Sequence, residues 1–550
     1  MKIHHIAVAF MLSVCSVPGM GQITKTEAFK ANTEVNPILP YNLCADPTAV
    51  EYNGRLYIYG TNDQQELETT GDKTKNTYGK ITQLVCMSSA DLVNWTFHGP
   101  IDVKSESPWI ATSWAPSIVS REEADGETHF YLYYTNTASG IGVLTSTSPT
   151  GPWKDPLGKA LINGSTPGRG EQSNIIDPGV CIDDNGVGWL TFGGGDPNKY
   201  GSTLMPGNAR IVKLGADMIS LDGEIKEIPA PFHFEANELN YINGKFVFSY
   251  SGGWSCNNDD WSTYEGKNGY SCPGNCSILA MVTDDPMNGT WTYKGEILKN
   301  PGTFGYSWGN NHSHLQKFGN NYYMTYHTQY LESKMGISGG YRCIGINKAT
   351  VSSSFNISAS MDNAGPSVIE ANTPVASDKN EAEMTANSAG IKVTKATNRY
   401  RDIVVSDIDD GDWTMVRSMR FTEDAQSLTI NIKGKGTLKV YKDRFSGTPI
   451  CEAEFDESSL KELTFDLSTV ISADTKHSLF FHFSDTKSSS PINFNWYRFN
   501  AQTAEEMTGI ENVVNGKCKM ENSIYNLAGQ RVDESTKGIV IKNGHKHIVK

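Results

Sequence analysis

Three acidic residues, Asp46, Asp177 and Glu235, recur at the head of a repeated phrase. Asp46 stands in ADPTAVEYNGRLYIYG, Asp177 in IDPGVCIDDNGVGWLTFGG and Glu235 in FEANELNYINGKFVFSY. In each, a carboxylate precedes a short apolar strand, a turn containing Asn-Gly and a second β-rich run. Repetition of one supersecondary unit places equivalent residues at equivalent points around an axis. Carboxyls converging on one axis suit cleavage of a glycosidic bond. That reaction needs a protonated acid for the leaving oxygen and an ionised partner to activate water or attack carbon. A third carboxylate raises the acid's pKa by like-charge repulsion and can orient it. The residue types alone do not divide these roles among the three.

Each carboxylate also has a plainer reading. Asp before Pro, as at Asp46 and Asp177, initiates turns. Glu235 lies in the apolar-flanked run HFEANEL, where a buried carboxylate needs a reason. The recurrence of all three favours chemistry over turns. Three further residues share their surroundings. His312, in GNNHSHLQKFGNNYY, falls near the same axis and as a neutral imidazole can bond a carboxylate or ligate an ion; a polar core histidine is the alternative. Trp114, in SWAPSIV, can stack on a sugar face. Arg342, in GGYRCIGINK, can reach a substrate hydroxyl or form a structural ion pair.

The elements that must position these residues are legible in the turns. Asn53-Gly54, Asp125-Gly126, Asn185-Gly186, Asn243-Gly244 and Gly319-Asn320 each precede an alternating strand, at intervals of about 58 to 75 residues. Asn-Gly or Asp-Gly between apolar runs is a strong hairpin signal. A second echo places Trp95, Trp153 and Trp291 after the hairpins as anchors of outer strands. Five such units predict an all-β fold headed by a five-bladed β-propeller, whose radial repetition leaves only short sheet edges. A β-sandwich has no reason to repeat one phrase five times. The phrase stops near Ala376, and 375–381 reads as a polar linker. From Glu381 to Asn500 alternation resumes without the phrase, as expected of a β-sandwich (jelly-roll) domain. The expected organisation is a signal peptide at 1–21, a propeller at 22–376, a sandwich at 381–500 and a β-leaning tail at 506–550.

Composition narrows the partners. Asp and Glu number 61 against 47 Lys and Arg, a formal charge of -14, which disfavours nucleic acid and anionic membranes. The 11 Trp and 24 Tyr suit sugar stacking and β-strands alike. Lys2, the apolar run from Ile6 to Val17 and the small residues before Gln22 form a secretory signal, with Cys15 raising a lipoprotein alternative. No later segment has the ~20 apolar residues of a membrane span. An exported protein, secreted, periplasmic or on the cell surface, is expected. The ten cysteines are scattered. Cys256, Cys272 and Cys276 cluster in the loop 252–275, and lack a fourth ligand at zinc-finger spacing. One disulfide with a spare thiol, or no bond, is expected there.

As a set, ADPTAVEYNGRLYIYG, SWAPSIV, NIIDPGVCIDDNGVGWLTFGG, HFEANELNYINGKFVFSYS and NNHSHLQKFGNNYYMTYH resemble glycoside hydrolase family 43 over roughly 36–376. The resemblance implies a five-bladed propeller and an inverting mechanism with no organic cofactor. It implies Asp46 as general base, Asp177 as pKa modulator and orienter, and Glu235 as general acid. His312 resembles the family's channel histidine, associated with a structural calcium, and Arg342 an arginine of the sugar subsite. Ala236-Asn237 replaces the Gly-Pro that commonly follows the acid. The segment 381–500 resembles a family 6 carbohydrate-binding module through EAE at 381–383, GDW at 411–413 and INFNWYRF. Asp407 stands where an aromatic is expected, SDTKSSSPIN lacks a platform Trp, and Asn495 replaces an acidic residue. A sugar-binding module and a packing partner both remain open. The tail, IYNLAGQRV then KGIVIKNG, resembles C-terminal sorting segments of exported proteins in the Bacteroidetes. Together these imply an exo-glycosidase releasing α-L-arabinofuranose from arabinoxylan or arabinan. A β-D-xylosidase on xylan oligosaccharides and a non-catalytic glycan-binding protein are the rivals.

Overall fold

The computed structural model describes residues 23–170, 174–195, 204–396 and 402–507, with short strands between 524 and 549. The signal segment 1–21, with Cys15, lies outside the described residues, as does most of the tail. Five antiparallel four-stranded units follow one another in chain order, each built from consecutive strands. Their innermost strands are Ala45–Tyr52, Trp114–Glu122, Gly179–Ile182, His233–Ile242 and Ser313–Phe318. This is the five-bladed propeller, and the five hairpins sit where the turn residues fall. Tyr52 pairs with Arg55 and Ile242 with Lys245 across two-residue turns. Asn53 and Gly54 both take positive φ, 49° and 70°, as do Asn243 and Gly244, which is the requirement of a type I′ turn.

Neighbouring blades pack on one another through apolar side chains. Tyr59, Phe130, Leu132 and Trp153 pack blade 1 on blade 2. Leu56, Ile58 and Met87 meet Phe318, Ile344 and Ile346 where blade 5 closes on blade 1. The anchors Trp95, Trp153 and Trp291 are all buried. The N-terminal segment latches the closure. Asn36 donates from Nδ2 to Ile346 O (2.9 Å) and accepts from Ile346 N (2.9 Å), and Cys44 N donates to Arg342 O (2.8 Å).

The second domain is a curled sheet folded over one apolar core that includes Leu428, Ile430, Leu438, Phe481, Phe494 and Tyr497. Its long strand Ala425–Lys442 pairs with Asn493–Asn500 along its first half and with Thr475–Ser484 along its second. That switch makes one continuous strand serve both layers of the sandwich. The two domains are stitched at several points. Met384–Thr385 pairs with Trp95 and Thr96, adding a fifth strand to the outer edge of blade 1. Residues 23–28 run along the second domain, with Trp413 Nε1 donating to Thr26 O (2.8 Å) and His482 Nε2 2.9 Å from Thr24 O. The polar stretch 375–381 is also fixed rather than free. Ala376 N donates to Arg420 O, and Asn380–Glu381 pairs with Tyr497 and Trp496. Asn380 Nδ2 closes that stretch on the carbonyls of Val375 and Asp378, which is why a linker-like composition makes an ordered corner.

Cys256 and Cys272 form a disulfide, and Cys276 is free and buried. No helix among the described residues is long and apolar enough to cross a membrane.

Candidate active site

At the head of the inner strand in four of the five blades the chain kinks through a left-handed residue. These are Asp46 (φ 50°), Ala115 (31°), Asp177 (51°) and Ala236 (60°) in blades 1 to 4. Pairing slips there in blades 1, 2 and 4. Such bulges re-aim side chains at the ends of sheets. A non-glycine residue held at positive φ costs roughly 1–3 kcal/mol, which marks a functional candidate. The shared phase expected for the three carboxylates is met by two. Glu235 stands one residue before the kink, because Ala236 takes the left-handed position in blade 4.

All six candidate residues meet in one cavity of about 190 Å³. Asp46, Asp177, Glu235, Trp114, His312 and Arg342 line it, together with Tyr78, Ala115, Ala138, Ile176 and Asn310. This lies below the ~300–1,000 Å³ of pockets that bury a drug-sized ligand, and fits a single sugar ring.

Asp46 is buried and fully engaged. Arg342 Nη1 donates to its Oδ1 (2.7 Å) and Thr61 Oγ1 to its Oδ2 (2.8 Å). Its backbone N and its Oδ1 lie 3.1 Å and 3.3 Å from His327 Nδ1, and His327 Nε2 faces Asn310 O at 3.0 Å. Burial pushes the Asp46 pKa up, but the Arg342 guanidinium, together with His327 and His312, more than offsets it and holds the carboxyl well below the usual range. Arg342 is itself fixed by Asp63. Nε and Nη2 make a two-pronged contact at 2.9 Å each, and the backbone N adds a third bond at 3.0 Å. Its guanidinium lies 4.9 Å from the Tyr78 ring centre. Thus Arg342 is both the structural ion pair and a pocket-lining group.

The other two carboxyls move the opposite way. Burial raises the Glu235 pKa to about 7, and the Asp46 charge adds to the rise. Burial also lifts Asp177 well above the ordinary value, reinforced by the charges of Glu235 and Asp46. Ala236 N donates to Asp177 Oδ2 (2.7 Å), and Asn237 Nδ2 donates to Asp177 O (3.0 Å) and Gly193 O (2.7 Å). The Ala236-Asn237 pair therefore ties the acidic ends of blades 3 and 4 together. One permanently ionised carboxylate facing two proton-retaining carboxyls is the separation of environments that acid–base hydrolysis requires.

His312 Nδ1 lies 3.7 Å from Asp46 Oδ1, and burial lowers its pKa to about 4, so the ring is neutral. Its Nε2 is buried without a hydrogen-bond partner. Trp114 forms the wall, with Nε1 donating to Tyr78 O (2.9 Å). Sequence reasoning missed Asp63, Thr61, Tyr78, His327 and Asn310. His327 had a signal, since it sits in the alternating strand NYYMTYHT. Asp63 and Tyr78 had none, because both lie beyond the repeat in segments of different length.

The glycosyl hydrolases family 43 profile matches residues 35–352. An arabinoxylan arabinofuranohydrolase of Bacillus subtilis is 34% identical over 512 residues, 89% of this chain and 97% of that protein. One from Paenibacillus polymyxa is 34% identical over 488 residues, 85% and 74% respectively. The crystal structure of a family 43 arabinoxylan arabinofuranohydrolase from Bacillus subtilis with cellotetraose superposes with a TM-score of 0.79 at 33% identity. It covers 87% of this chain and 99% of that one.

Proposed function

The chain belongs to glycosyl hydrolases family 43, and from that premise we propose that it is an inverting exo-glycosidase releasing α-L-arabinofuranose from arabinoxylan. The observation that carries the mechanism is the opposed tuning of Asp46 and Glu235 in one sugar-sized cavity. The choice of sugar is supported by the arabinoxylan arabinofuranohydrolases aligned over most of the chain.

In this reading Glu235, protonated up to about pH 7, donates its proton to the leaving oxygen. Asp46, ionised throughout, takes a proton from the water that attacks the anomeric carbon from the opposite face. Its low pKa keeps it ionised at the cost of weak basicity, so departure of the leaving group depends heavily on Glu235. Asp177, fixed by Ala236 N, is the modulator and orienter: repulsion between it and Glu235 makes it costly to ionise both. Arg342 and Trp114 position the sugar. An arabinan side chain is a second substrate on the same reading, and a β-D-xylosidase is its rival.

A structural calcium at His312 does not fit the donor set. Calcium takes six to eight oxygen ligands, whereas His312 offers one ring nitrogen. Among the described residues no group of three His, Cys, Asp or Glu stands ready to hold a metal. No step is assigned to a metal. We read the second domain, similar to a family 6 module, as a brace for blade 1, on the strength of the Met384–Thr385 pairing. Export is proposed from the N-terminal apolar segment and the C-terminal tail.

The test is hydrolysis of matched aryl α-L-arabinofuranoside and aryl β-D-xylopyranoside, with Asp46→Asn as control. The proposal expects preference for the arabinoside and at least a ~10²-fold loss in the variant. Preference for the xyloside overturns the sugar assignment, and wild-type activity in Asp46→Asn overturns the base.

A further inference from the structure

Eleven tryptophans occur in the chain, and nine are buried or half buried. The two that are not are Trp254, 43% exposed, and Trp308, 57% exposed. An indole has an apolar body and a polar N–H, so one held exposed beside a sugar-sized pocket is a candidate contact for substrate. Both belong to loops at the end of the propeller where the pocket opens. Trp308 is two residues from pocket-lining Asn310, hence within ~7 Å along the chain. Trp254 is three residues from Ser251, which pairs directly with Glu235.

Both loops are built rather than loose. Gly253 N donates to Phe232 O (2.9 Å), and Cys276 N donates to Gly253 O (2.9 Å). Asn300 Nδ2 then bridges Cys276 O (3.3 Å) and Gly309 O (2.8 Å). This chain of bonds runs from the residue before Trp254 to the residue after Trp308. On its other side Trp254 is followed by Cys256, clamped to Cys272. Trp308 has a seat of its own. A Cβ on Gly302 would fall 2.3–2.6 Å from three of its ring atoms, so the indole rests on bare backbone. Asn300 Oδ1 fixes that seat by accepting from Gly302 N (3.0 Å).

A pocket that holds one sugar leaves the rest of the substrate at its rim. If the sugar is a side chain, what lies at the rim is the main chain carrying it. We propose that Trp254 and Trp308 form an aromatic platform for the β-1,4-linked xylopyranose main chain, stacking on the flat apolar faces of its rings. The proposal rests on the arabinoxylan reading and adds which part of the substrate sets the specificity. An uncharged pyranose chain suits these indoles, since its ring faces present C–H groups and its hydroxyls point sideways to water.

The experiment compares Trp254→Ala, Trp308→Ala and Trp308→Tyr with the parent protein. One arm measures kcat/KM on an arabinosylated xylo-oligosaccharide and on an aryl α-L-arabinofuranoside, which has no main chain. The other measures binding of unsubstituted xylohexaose to the same variants made in an Asp46→Asn background. Each alanine variant is expected to lose ~10-fold or more on the oligosaccharide and in xylohexaose binding. Activity on the aryl substrate should hold, and Trp308→Tyr should recover most of the loss. Unchanged oligosaccharide kinetics, or equal losses on both substrates, would overturn the platform. So would binding of arabino-oligosaccharides in place of xylohexaose. If the parent cleaves neither substrate, the arabinofuranosidase reading fails, and the xylohexaose arm still decides the platform.

Discussion

Replacing Glu235 by Gln gives the sharpest test of the acid assignment. A glutamate with the ordinary pKa of 4.5 would carry its proton in about 0.3% of molecules at pH 7. With the pKa raised to about 7, half of the molecules do, a gain of roughly 160-fold in competent acid. Two consequences follow for kcat/KM on a substrate whose leaving group is a sugar. It should fall on the alkaline side with a limb near pH 7, and Glu235→Gln should lower it by ~10²–10⁴-fold. A dinitrophenyl α-L-arabinofuranoside has a leaving group that needs no proton, so the variant should retain most activity on it, without the alkaline limb. The assay is a pair of pH–rate profiles on the two substrates for parent and variant. Equal losses on both substrates, or an alkaline limb that survives in Glu235→Gln, would refute the assignment.

Arg342 is the strongest of the groups that lower the Asp46 pKa, and a unit charge at about 4 Å contributes ~4 kcal/mol at the effective dielectric of such sites, or ~3 pKa units. The paired substitution Arg342→Met with Asp63→Asn, which removes the guanidinium without leaving the Asp63 charge behind, should therefore raise the acid limb of kcat/KM by ~3 pH units; an unmoved limb would remove Arg342 from this role. Proton NMR at early times should show the released arabinose with inverted anomeric configuration, and initial retention would mean that Asp46 is a nucleophile. Thr385→Pro removes a donor from the strand that extends blade 1. It should lower Tm while leaving kcat/KM on aryl substrates unchanged, and an unchanged Tm would end the brace reading.

The propeller was legible because its signals are local. Asn53-Gly54 and Asn243-Gly244 write a hairpin into two residues, and five repeats of that hairpin leave few architectures. The same locality shows why Asp46, Asp177, Glu235 and His312 could be picked out, since each sits seven or eight residues ahead of such a turn. What the repeat could not carry is what differs between blades. Glu235 stands one position out of phase, because the kink of blade 4 passes to Ala236, and a bulge leaves no mark in an alternating pattern. Asp63 and Tyr78 lie in the excursion between the second and third strands of blade 1, whose sequence and length differ from those of the corresponding connection in blade 4. They matter only because Arg342, some 280 residues on, folds back between them. The carboxylates' tuning is likewise a product of tertiary structure. Asp46 and Glu235 share a pocket and a chemistry, yet the Arg342 guanidinium bonded to Asp46, with His327 and His312 beside it, pulls one pKa down while burial and the Asp46 charge push the other up. That guanidinium reaches Asp46 because Asp63, itself without substrate to touch, holds it in place. A substitution at Asp63 should therefore register first in the acid limb of the pH profile and only afterwards in the affinity for sugar.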